Sequence, residues 1–109
     1  MKRLGDNIGM GRRETSEQHS RIERELTEER AAALRRISQT LESLIEQLIA
    51  LRAKIGEVHW SNPSPELAHY RELRRRAVKY RWYLEVQREA LGLRHHHRLD
   101  EFYRIPDAL

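Results

Sequence analysis

Residues 34–55 read LRRISQTLESLIEQLIALRAKI. Within them Leu34, Ile37, Leu41, Leu44, Leu48, Leu51 and Ile55 recur at alternating steps of three and four. That is the 3.5-residue period with which one helix presents a narrow apolar seam to another. A half-buried strand would instead alternate at every second residue. The stretch therefore predicts an all-α, coiled-coil-like fold, and it requires a second helix against which the seam closes.

The chain supplies that helix downstream. Gly56 is a helix stop, and His59-Trp60-Ser61-Asn62-Pro63-Ser64-Pro65 is rich in turn formers, with Ser64 placed to cap a new helix and Pro65 at its first position. Beyond it Tyr70, Leu73, Ala77, Tyr80, Leu84, Gln87 and Leu91 repeat the three-four spacing as far as Gly92, a second stop. The connection is short, so the two helices are expected to pair antiparallel. The predicted hairpin covers residues 15–93, with helix 1 over about 15–56, a loop at 57–64 and helix 2 over about 65–93.

Upstream of the seam the pattern changes. Ile22, Leu26 and the alanines at 31–33 continue an apolar stripe out of register, which implies a stutter or a different packing partner. Thr15 or Ser16 is placed to cap helix 1, with Gln18 completing a capping box on Thr15. Residues 1–14 hold three glycines and no helical stripe; they are expected to form a flexible arm in which Ile8 and Met10 are small anchors. Helix 1, at about 63 Å, would outrun helix 2, at about 43 Å, by about 20 Å. The tail at 94–109, with Leu99, Phe102, Tyr103 and Ile105, is expected to fold back over that overhang.

A second apolar row on helix 2, Val78, Trp82 and Val86 followed by Leu93, lies on the side away from the seam at about 100° per residue. Ile45 and Ile49 widen the stripe of helix 1 in the same way. One hairpin cannot bury both rows, and each large side chain left in water forfeits roughly 1.5–3 kcal/mol. These six residues are therefore expected to form a self-association interface that builds a four-helix bundle or a higher oligomer.

Bulk composition agrees with long solvated helices. The 109 residues suit one domain, charged residues make up 35% and aromatics 6%, and 21 Lys and Arg against 17 Asp and Glu leave a net +4. Without cysteine there is no disulfide framework and no thiolate chemistry. No run approaches the roughly 20 apolar residues of a membrane span, and the N-terminal residues lack the apolar core of a signal peptide, so the expectation is a soluble cytoplasmic protein that does not engage a membrane.

Four motifs are candidates for chemistry or binding. Glu66 and His69 form an E-x-x-H pair, the spacing that places two metal ligands on one helical face in carboxylate-bridged bundles, with Glu57 and His59 across the turn. They are read as capping and loop groups. His95-His96-His97 resembles a metal tract, with His95 and His97 as its candidate ligands, but the triplet follows the Gly92 stop, where it is expected to cap and pack. Between Arg71 and Arg81 six of eleven residues are basic: Arg71, Arg74, Arg75, Arg76, Lys79 and Arg81. The run offers an anion-binding strip for phosphates, although the six spread around most of the helix and acidic residues of helix 1 are available to pair with them. Asp100-Glu101-Phe102-Tyr103-Arg104-Ile105-Pro106 is read as a segment packing on its own hairpin, or as a peptide offered to a partner.

There is no glycine-rich phosphate loop after a strand and no G-x-S-x-G elbow. The sequence accordingly predicts no catalytic residues and no cofactor. Its reading is a small non-enzymatic interaction or assembly protein that homo-oligomerises and binds a protein partner. A nucleic-acid binder acting through the basic face of helix 2 is the alternative, and a metal-binding bundle is a further one.

Overall fold

The computed structural model describes the backbone of residues 2–56 and 64–109, and the side chains of residues 14–56 and 64–109. Three helices follow one another: α1 (Lys2–Ile55), α2 (Pro65–Ala90) and α3 (His97–Phe102). The chain divides into two units, Met1–Ala32 and Ala33–Leu109.

The second unit is the expected hairpin. Leu41, Leu44, Leu48 and Ile55 of α1 form one buried cluster with Tyr70, Leu73, Ala77 and Leu84 of α2. Leu34, Ile37, Leu51 and Tyr80 pack half-buried at its margins, and Leu91, at the end of α2, is half-buried. Arg52 of α1 reaches the Tyr70 hydroxyl at 3.5 Å, and Arg76 shares a groove with Thr40, Ser43 and Gln47. Higher numbers on α2 thus meet lower numbers on α1, and the helices are antiparallel.

Local chemistry fixes the helix ends. The Ser64 hydroxyl accepts from the Leu67 amide at 3.1 Å, with Pro65 opening the helix. At the other end Leu93 N–H donates to the Arg88 carbonyl and Gly92 N–H to the Glu89 carbonyl, both at 2.9 Å, and Gly92 takes φ 85°. These paired bonds satisfy carbonyls of the last turn and stop α2 at Ala90, slightly before the expected residue 93. Gly56, with φ 66°, closes α1 through a single bond from its N–H to the Arg52 carbonyl at 3.1 Å. Loop residues 57–63 lie outside the described residues, including Glu57 and His59.

The start of α1 differs from the sequence expectation. The helix begins at Lys2, so Thr15 and Ser16 are interior positions instead of caps, and residues 2–14 of the expected arm belong to the helix. Each glycine in a helix costs about 1 kcal/mol. Extension of a formed helix is nevertheless far easier than nucleation, and residues 1–14 contain no proline to stop it.

The tail also takes a different course. It does fold back, but over the hairpin itself, following α2 from its C-terminal end toward the loop. Leu99 of α3 enters the buried cluster, and Tyr103, Ile105 and Leu109 pack against it. The fastening groups lie along both helices. Arg88 donates to the His95 carbonyl at 3.1 Å, and Tyr103 donates to Glu42 at 3.5 Å. Arg74 donates to the Pro106 carbonyl at 2.9 Å. Tyr70 and Arg52 both donate to the Asp107 carbonyl, at 2.7 and 3.1 Å. Carbonyls outside regular helix must find other donors, and these side chains provide them. Ile22 and Leu26, which the tail was expected to cover, are exposed, at 55% and 44%.

Candidate interaction surface

The face of α2 opposite the seam is open. Leu67, Tyr70, Leu73, Ala77 and Leu84 turn inward, and the tail lies along one flank through Arg74, Arg81 and Arg88. Val78, Trp82 and Val86, at steps of four, remain exposed on the outer side, as does Leu93 just past the helix. Trp82 is 58% exposed, and its ring lies 5.5 Å from that of Tyr83 at a tilt of 49°. Lys79 Nζ sits 5.7 Å from the Tyr83 ring centre.

The two isoleucines of α1 do not join this row. Ile45 is half-buried and packs against the hairpin core. Ile49 is 58% exposed but lines an open groove of about 390 Å³ with Arg52, Ala53 and tail residues 104–107. Val78 borders a different groove, of about 530 Å³, together with Arg104 and Ile105 of the same tail. The tail therefore runs between Ile49 and the α2 row, and the six residues read as one interface divide into an α2 patch, an α1 groove wall and a core side chain.

The six basic residues divide as well. Arg71 and Arg74 donate to the main-chain oxygens of Leu109 and Pro106, at 2.9 Å each, and Arg81 pairs with Asp100. Arg75 pairs with Glu72 at 2.6 Å on the surface. Arg76 lines a groove of about 330 Å³ on the hairpin with Gln39, Thr40, Ser43, Leu44 and Gln47. Half of the basic run, Arg71, Arg74 and Arg81, thus engages the tail.

Among the histidines, His96 contacts Glu89 at 3.1 Å, while the rings of His95 and His97 stand 6.5 Å apart. Glu66 and His69 are exposed on the first turns of α2. Among the described residues no group of three or more histidine or acidic side chains is gathered as metal ligands would be, and no helix is long and apolar enough to cross a membrane.

Two features escaped the sequence reading. Leu67 is buried, and Tyr70 is an anchor for the tail as well as a seam residue. Its hydroxyl was the available signal, because a tyrosine wholly buried in a seam requires a hydrogen-bond partner. No protein-family model, curated protein or solved structure matches the chain.

Proposed function

We propose that this protein is a non-enzymatic helical assembly module whose outer α2 face, Val78, Trp82 and Val86 with Leu93, binds a second copy of the chain. The supporting observation is the 58% exposure of Trp82 within an apolar row that the chain's own tail leaves open. A tryptophan contributes large, rigid contact area at small entropic cost, and such residues dominate the energetics of protein interfaces. The tail, α3 included, completes the hairpin core, and a further protein partner is then held by the surfaces that assembly leaves exposed.

Light scattering after gel filtration, over a concentration series at moderate and high salt, tests this. The expected result is a defined oligomer under both conditions and a Trp82→Glu variant that is monomeric with unchanged helicity. A wild-type chain that stays monomeric throughout the series would remove the reading.

A further inference from the structure

The outer face of α2 is charged in two blocks that meet at Trp82. Arg75 and Lys79 precede it, and Glu85 and Glu89 follow it. The placement is symmetric: Val78 and Val86 stand four positions before and after Trp82, Lys79 and Glu85 three, and Arg75 and Glu89 seven. At about 100° per residue, Arg75 and Glu89 both project within roughly 20° of Trp82, so they share its line along the helix.

Of the partners these charges have within the chain, Glu72 is exposed, whereas His96 and Arg81 are half-buried. Arg75 meets Glu72 at 2.6 Å, with 76% and 55% of the two side chains exposed. Glu89 meets His96 at 3.1 Å and is itself 59% exposed. Glu85 lies 4.0 Å from Arg81. An exposed pair such as Arg75–Glu72 contributes only about 0–1 kcal/mol, so Arg75 readily exchanges it for a contact of similar strength, and Glu89, itself 59% exposed, is open to a second partner.

Two copies can bring these faces together in opposite senses. In a parallel pair every charge meets its own kind, arginine beside arginine and glutamate beside glutamate. With the helices antiparallel about a two-fold axis through Trp82, positions equally far from Trp82 on either side come to the same level. Trp82 then meets Trp82 once, at the axis, while Val78 comes level with Val86 and Arg75 meets Glu89, each twice by symmetry.

Resting on the reading of this face as a self-association surface, we infer that a second copy of the chain docks α2 against α2, antiparallel, about a two-fold axis through Trp82, with Arg75 of each copy against Glu89 of the other. The apolar centre supplies affinity and the charge blocks select the direction, since like charges placed together across an interface disfavour the wrong arrangement.

The test uses the full chain at low salt and compares dissociation constants from a concentration series of wild type, Trp82→Glu, Arg75→Glu, Glu89→Arg and the double reversal, with helicity recorded for each. Each single reversal creates two repulsive contacts and is expected to weaken association by roughly ten-fold or more, the double to return within about three-fold of wild type, and the differences to shrink in 1 M salt. Arg75→Ala and Glu89→Ala form a second series that adds no repulsion. Each is expected to weaken association by roughly three-fold, and their combination no further than either alone.

A dimer that Trp82→Glu abolishes, but whose double variants behave additively in both series, has another geometry; the antiparallel inference then falls while the self-association reading stands. A monomeric wild type overturns both.

Discussion

Two stretches of α1 share one helix and differ in nearly everything else. From Glu14 to Arg30 every side chain is exposed, Ile22 and Leu26 included. From Leu34 to Ile55 the same helix buries Leu41, Leu44, Leu48 and Ile55 against α2 and the tail. Helical backbone therefore says little about burial, and an apolar residue says little alone. The unbroken three-four run distinguishes the second stretch, whereas the first has one apolar step of four set among charges. Its local support is of the kind that surface helices use, such as His19 against Glu23 at 2.9 Å.

Placing one substitution in both stretches is the sharpest way to break that contrast. Leu44→Glu puts an unpaired carboxylate into a site that is 2% exposed. It is expected to cost more than about 4 kcal/mol and to abolish the cooperative thermal transition followed by circular dichroism. Leu99→Ala, in the tail's contribution to the same cluster, is expected to destabilise the fold by about 2–4 kcal/mol and to speed protease cleavage after Gly92, because it leaves a cavity beneath α3. Leu26→Glu is expected to shift stability by no more than about 0.5 kcal/mol, since that side chain already meets solvent. A comparable loss of melting temperature from Leu26→Glu and Leu44→Glu would mean that the first stretch is covered in solution.

The hairpin was legible because its information is local. The seam spacing, Ser64 ahead of Pro65, and Gly56 and Gly92 each report on a few neighbouring residues, and each specifies its own geometry. The course of the tail was not legible, because it depends on groups that meet only after folding. Tyr70 and Asp107 are 37 positions apart, and no period in the sequence links a tyrosine hydroxyl to a main-chain carbonyl. That one unknown also decided how the surface residues group. The Val78-Trp82-Val86 row follows from helical spacing alone, whereas separating Ile49 from it requires knowing that residues 104–107 pass between. The start of α1 was missed for a different reason: glycines weaken a helix without forbidding it.

The tail is gripped largely by what every amino acid possesses. The carbonyls of His95, Pro106 and Asp107 and the main-chain oxygen of Leu109 accept from Arg88, Arg74, Tyr70 with Arg52, and Arg71, and proline surrenders nothing in such a role because only its missing N–H is lost. A strand of chain held this way is free to drift in sequence at exposed positions such as Asp107 and Ala108 while keeping its path. The heritable specification of that path then resides in the residues that do the holding, on α1 and α2, more than in the segment that is held.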